Sequence, residues 1–118
     1  MKQVRQIIFY QGHFHAFYHA QNRKVQRKID EVLFMISILE RVPSKFLEHL
    51  TGTDGLFEIR IEWSGSIFRV FCCFDEGRLV VLFNGFQKKT QKTPKTEIDK
   101  AEKLKVAYFK EKYDGKAT

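Results

Sequence analysis

The chain has 118 residues, of which 43% are apolar, and carries a formal net charge of +7. That apolar content excludes a disordered polymer, and the length suits one domain, residues 1–118, around a modest core. The opening Met1–Phe9 lacks the apolar core of a secretory signal and no apolar run nears the length of a helical membrane span, so a cytoplasmic protein without a membrane partner is expected. The excess of positive charge suits a polyanionic partner.

Val4 to Tyr10 is apolar with β-branched residues and predicts a first strand, which Gly12 breaks. From Phe14 to Val42 the residues Val25, Ile29, Val32, Leu33, Ile36 and Leu39 recur at spacings of three and four, which predicts one long amphipathic helix. Arg23, Lys24, Arg27, Lys28, Asp30 and Glu31 fall mostly on its other side, as a solvated face or a contact for a polyanionic partner. His15 and His19 share helical spacing, but no carboxylate or thiol cluster joins them and His13, so a surface or capping role is expected and no metal site. Pro43 ends the long helix, and Ser44 as N-cap predicts a short second one, Lys45 to Leu50, in a helical hairpin.

Gly52-Thr53-Asp54-Gly55 is a turn. The strand after it, Leu56 to Trp63, alternates, with Leu56, Glu58, Arg60 and Glu62 on one side and Phe57, Ile59, Ile61 and Trp63 on the other. Ser64-Gly65 turns into Ile67 to Phe74, and Asp75-Glu76-Gly77 into Leu79 to Phe86. The last of these is nearly all apolar and predicts a central strand of an antiparallel meander. Cys72 and Cys73 are neighbours, so on a strand they point to opposite faces and read as small fillers in a reducing compartment. Trp63 and most phenylalanines are expected in the core, with Phe86 a candidate to stack on a base. The final element, Thr96 to Tyr113, is a helix with Ile98, Ala101, Leu104, Ala107 and Tyr108 on one face. Pro94 and a Thr96 cap mark its start, and Asp114 to Thr118 form a fraying tail. The fold class is α+β: a twisted antiparallel sheet with two N-terminal helices and one C-terminal helix.

The positive charge is concentrated. Asn84 to Thr118 contains ten lysines against five acids, which leaves +5 of the total +7. Lys88, Lys89, Lys92 and Lys95 lie in an acid-free run at a strand-to-helix junction, where phosphates are readily held. Arg60 and Arg69 sit alone in apolar strands upstream. If the three segments pair, this charge converges on one site and points to RNA. The competing reading is a solvated lysine surface, with the arginines in structural ion pairs to Glu58, Glu62 or Asp75.

Four blocks carry a family resemblance: Leu50-Thr51-Gly52-Thr53-Asp54-Gly55-Leu56-Phe57-Glu58-Ile59-Arg60, Phe68-Arg69-Val70-Phe71, Phe86-Gln87-Lys88-Lys89-Thr90-Gln91-Lys92-Thr93-Pro94 and Glu97-Ile98-Asp99-Lys100-Ala101. Together they resemble the RelE/ParE toxin superfamily, in its HigB-type, phage-derived Gp49-like branch of type II toxin–antitoxin systems. The resemblance implies a toxin that enters the ribosomal A site and cleaves mRNA by attack of a ribose 2′-hydroxyl on the adjacent phosphate, with no metal or cofactor. By position it implies catalytic roles for Arg60, Arg69 and Lys89 and RNA contacts for Lys88, Lys92 and Lys95. Arginine's planar fork suits a phosphate, and a lysine among cations has a lowered pKa that suits an acid or base. It also implies an antitoxin with a helix-turn-helix, HigA-like, and contact with operator DNA only through the antitoxin complex. The sequence departs from the pattern where the best-studied branch places a catalytic tyrosine. That neighbourhood reads Lys92-Thr93-Pro94-Lys95, and no histidine follows His49. The general base is therefore unassigned, with Glu58 expected to hold Arg60 rather than to serve as base. Two rivals remain: a ParE-like protein that binds DNA gyrase without nuclease chemistry, and a non-catalytic nucleic-acid-binding member.

Overall fold

Strands whose residues are apolar on both faces need cover on both, and the computed structural model, which describes residues 2–116, provides it. The elements in chain order are β1 (Gln6–Phe9), α1 (His13–His19), α2 (Arg23–Ile38), β2 (Leu47–His49), β3 (Phe57–Trp63), β4 (Ser66–Asp75), β5 (Leu79–Lys88) and α3 (Lys95–Lys116). The strands form one five-stranded sheet in the order β1-β5-β4-β3-β2. The expected meander is its centre, and β5 is an inner strand.

The sheet is mixed rather than wholly antiparallel. β1 pairs in parallel with β5, Gln6 opposite Leu79 and Phe9 opposite Leu82. Four residues carry no signal of direction. The direction follows from the long path through α1, α2 and the meander, which returns the chain to the free edge of β1.

The expected helix over 14–42 is two helices. Asn22 leaves helical geometry (φ −72°, ψ 168°), and its side chain accepts a hydrogen bond from the Val25 amide as the N-cap of α2. This break lets α1 seat Phe14 and Phe17 on the sheet while α2 lays Val25, Ile29, Val32 and Ile36 against Ile59 and Ile61. The count of two N-terminal helices therefore holds with different bounds, because the segment expected as the second helix, Lys45 to Leu50, is not helical. The Pro43 carbonyl accepts from Phe46 and Leu47 in a turn, and Leu47–His49 then pairs antiparallel with β3. An open strand edge outcompetes a single helical turn, which is marginal without tertiary support.

At the other end, α3 starts one residue earlier than expected, with the Pro94 carbonyl accepting from the Glu97 and Ile98 amides, so Thr96 lies in the first turn and does not cap. It continues through the segment expected to fray as far as Lys116; residues 117 and 118 lie outside the described residues.

α3 covers the opposite face of the sheet, where Ala101 and Leu104 pack on Leu56, Phe71, Cys73, Val81 and Phe83. Cys72 and Cys73 are free and buried on opposite faces. Polar contacts fix α3 at both ends. The Asn84 side chain donates to the Glu97 carbonyl at 3.1 Å and to its carboxylate at 3.0 Å. Farther along, Tyr108 and Lys112 both donate to the buried Asp75 carboxylate at 2.8 Å.

Burial would raise the pKa of Asp75, but the hydrogen bonds from Lys112 and Tyr108 outweigh it and hold the carboxyl below its usual range. A depressed native pKa adds stability that is complete above the unfolded value and fades as pH falls through the aspartate range. Asp75→Asn should therefore lower stability at neutral pH and flatten the loss below about pH 4, measured by denaturant unfolding across pH. A second prediction concerns Gly85 on β5, where a Cβ would meet the Phe17 ring at 2.5 Å. Gly85→Ala should cost about 1–3 kcal/mol, because α1 must lift from the sheet.

Candidate nucleic-acid interface

Strand register places the charged side chains in rows. β3 contributes Glu58 and Arg60 to the same face as Leu56, so both lie on the side that α3 covers only in part. One row runs from Glu48 on β2 through Glu58 to Phe71, and the next from Arg60 through Arg69 to Phe86. Beyond it, Ile67 is opposite Lys88, one side-chain repeat or about 7 Å farther along the strands.

Arg60 and Arg69 are direct cross-strand partners. Like charges so placed repel, and a carboxylate relieves the repulsion. Glu58, only 6% exposed, stands beside both. Its Oε1 accepts from Arg60 Nε at 3.0 Å and Nη2 at 2.8 Å, while Oε2 lies 3.7 Å from Arg69 Nε. That second contact is an ion pair without a hydrogen bond, so Glu58 Oε2 and Arg69 Nε are both buried without a hydrogen-bond partner. Glu48 adds a second carboxylate on Arg60 Nη1 at 2.8 Å.

The two arginines are not equivalent. Arg60 keeps about a third of its side chain in solvent (32%), whereas Arg69 keeps 9%. Burial pulls the Arg69 pKa down, Glu58 opposes this, and Arg60 adds to the lowering.

The lysines occupy the junction that the sequence places them in. Lys88 is the half-buried last residue of β5, and with Ile67, Lys89, Thr90 and Gln91 it lines an open groove of about 540 Å³. Lys89 and Lys92 are exposed in the loop 89–94, where the Thr90 hydroxyl donates to the Lys92 carbonyl, and Lys95 opens α3. Among the described residues no carboxylate pairs with Lys88, Lys89, Lys92 or Lys95. Pairing of β3, β4 and β5 thus brings Arg60 and Arg69 together with Lys88 one step away, while Lys89, Lys92 and Lys95 lie along the adjoining loop and helix start. Among the described residues nothing bonds these three to the arginines.

The site contains one carboxylate that sequence reasoning missed, Glu48. Its strand was expected to be a helix, and three residues are too few for alternation to register. A further correction is Trp63, expected in the core but 39% exposed. Among the described residues no three His, Cys, Asp or Glu side chains converge as a metal site; His15 and His19 stack on each other instead. Nor is any described helix long and apolar enough to cross a membrane.

Comparison with curated proteins returns no match. The family model described as "Phage derived protein Gp49-like (DUF891)" matches residues 16–106, which contain every residue of the two charged rows and of the lysine junction. The chain belongs to the Gp49-like family. Gp49-like proteins are a RelE/ParE-like toxin family associated with toxin–antitoxin systems, and membership implies an antitoxin as partner.

In this Gp49-like protein, Glu58→Ala would leave Arg60 and Arg69 opposite each other with no carboxylate between them. The expected loss is about 3 kcal/mol in urea unfolding. A second change, Arg69→Met, should recover part of it, whereas Glu48→Ala, at the solvent-facing side, should cost about 1 kcal/mol or less.

Proposed function

We propose that this protein is a ribosome-dependent mRNA endoribonuclease, the HigB-type toxin of a toxin–antitoxin pair. The observation that carries the reading is the Arg60–Arg69 row beside lysines that no carboxylate occupies. Cleavage of an RNA phosphodiester by its own 2′-hydroxyl gives up the hydroxyl proton to a base, forms a bond from the 2′-oxygen to phosphorus and breaks the bond to the 5′-oxygen, which leaves with a proton. Negative charge builds on the phosphate during the step, and fixed cations aimed at it supply several kcal/mol.

In this reading Arg60 binds the scissile phosphate directly, since its side chain reaches solvent and Glu58 fixes its fork. The phosphate takes the place of Glu48 on Nη1, at the open side of the pair. Arg69 stands behind and adds charge from within the sheet. Lys89 is the electrostatic or general-acid group for the leaving 5′-oxygen, and Lys88, Lys92 and Lys95 hold the flanking RNA in the ribosomal A site. A HigA-like antitoxin with a helix-turn-helix covers part of this basic face and carries the complex to operator DNA.

The two carboxylates on Arg60 favour one other reading, nucleic-acid binding through the lysines without cleavage, because they already occupy its guanidinium. The two readings separate on programmed ribosomes, with wild type, Arg60→Ala and Arg69→Met compared and ribosome-free RNA as control. Cuts inside codons that need the ribosome, and fall about 100-fold or more in Arg60→Ala, are the expected result. Intact mRNA with wild-type protein would sink the nuclease reading and leave plain binding or a gyrase-directed toxin.

A further inference from the structure

β2 pairs with residues Phe57 to Ile59 of β3, so among the described residues the outer edge of β3 from Ile61 to Trp63 has no strand beside it. The segment before β2 flanks that edge, with the Arg60 amide donating to the Phe46 carbonyl at 2.8 Å. Lys28, Lys45, Phe46, Arg60 and Glu62 line a groove there of about 360 Å³. A second, smaller hollow adjoins it, lined by Lys24, Arg27, Lys28, Glu31 and Trp63, with Lys28 common to both. Lys24, Arg27, Lys28 and Glu31 are spaced three and four apart on α2, so they form one stripe beside its apolar face.

Besides Arg60, the two hollows hold four cations, Lys24, Arg27, Lys28 and Lys45, and two acids, Glu31 and Glu62, and Trp63 lines the smaller one. Of the four, only Lys28 has a carboxylate within ion-pair distance among the described residues, Glu31 at 3.7 Å. Lys45 lies over the Phe46 ring. Trp63 ends its strand just before the tight turn at Ser64 (φ 49°) and Gly65 (φ 83°), and that position leaves it 39% exposed. An exposed aromatic ring beside cations that mostly lack a carboxylate partner suits a base to stack and phosphates to neutralise.

We propose that this edge is a second RNA-binding surface, where Trp63 stacks on a base of single-stranded RNA and Lys24, Arg27, Lys28 and Lys45 hold the phosphates beside it. The inference rests on the RNA reading above and extends it to a different face of the protein. Single-stranded RNA fits because a duplex keeps its bases stacked away from an indole, whereas an unpaired base offers its face. An acidic peptide would satisfy the cations but offers nothing for Trp63 to stack on. Arg60 lines the larger groove, which shares Lys28 with the hollow of Trp63; the Arg60 and Trp63 side chains leave β3 on opposite faces, at positions about 10 Å apart at the rise of a strand.

The test uses the full chain, in which Trp63 is the one tryptophan and so reports on the site by its own fluorescence. Oligoadenylate of about twelve nucleotides, duplex RNA of equal length and polyglutamate are titrated in turn at two salt concentrations. Oligoadenylate should quench Trp63, and the other two should not. The triple variant Lys24→Ala/Arg27→Ala/Lys45→Ala should weaken binding about tenfold or more and reduce its salt dependence. Trp63→Ala, followed with labelled RNA, should weaken it about tenfold at unchanged salt dependence. Absence of quenching, or unchanged binding in both variants, would overturn the proposal, and stronger quenching by polyglutamate would reassign the surface to an acidic protein partner. The two RNA claims fail separately. Quenching by oligoadenylate with mRNA left intact on ribosomes would keep this surface and sink the nuclease reading, while cleavage without quenching would do the reverse.

Discussion

Two arginines opposite each other on adjacent strands repel, and here they coexist because a buried carboxylate stands beside both. Glu58 takes Arg60 in a close fork and faces Arg69 at a longer ionic distance, so the pair is held together by an acid that neither arginine fully satisfies. A sheet built for stability alone would place apolar residues at these positions, which often serve as well or better than a buried ion pair. Keeping two arginines there with the carboxylates Glu58 and Glu48 fixes the direction of the Arg60 fork. For binding a phosphate that gains charge during a reaction, such fixed cations matter more than additional ones that must reorganise.

The rest of the fold serves this arrangement. α1 and α2 bury one face of the sheet and make it rigid, so that strand register alone sets which side chains meet. α3 buries the other face only as far as Phe71 and Phe83, with its start pinned by Asn84 and its far end by Asp75. The arginine row lies next to Phe71 and ends at Phe86, which packs against the same cluster, and Arg69 is 7% exposed. β2 contributes little area, yet its single inward acid, Glu48, closes the outer side of Arg60. The short edge strand thus acts on the site through one side chain.

Much of the meander was legible because period-two alternation and turn residues such as Ser64-Gly65 and Asp75-Glu76-Gly77 are local signals. Convergence of Arg60 and Arg69 was expected only if the strands paired, and their place directly opposite each other is set by the register. What escaped was set by tertiary context. The break at Asn22 interrupts a pattern whose apolar spacing is otherwise helical, and a polar side chain that caps a new helix looks the same in sequence as one on an exposed face. Leu47–His49 became a strand only because β3 offered an edge, so Glu48 entered the site unannounced. Trp63 was misplaced for a related reason. Alternation correctly put it on the face of Ile59 and Ile61, but the core ends before the hairpin does. The roles of Arg60, Arg69 and Lys89 came from resemblance rather than from spacing, and geometry adds that the first two differ sharply in exposure.

The central claim is that Arg60 and Arg69 act as one cationic unit on the scissile phosphate. Single-turnover cleavage on saturating programmed ribosomes, with Arg60→Met, Arg69→Met and the double variant, tests it most directly. The account predicts that the double variant is little slower than the slower single variant, as for groups that work as a unit. Losses that simply multiply would contradict it, because the two arginines would then act independently.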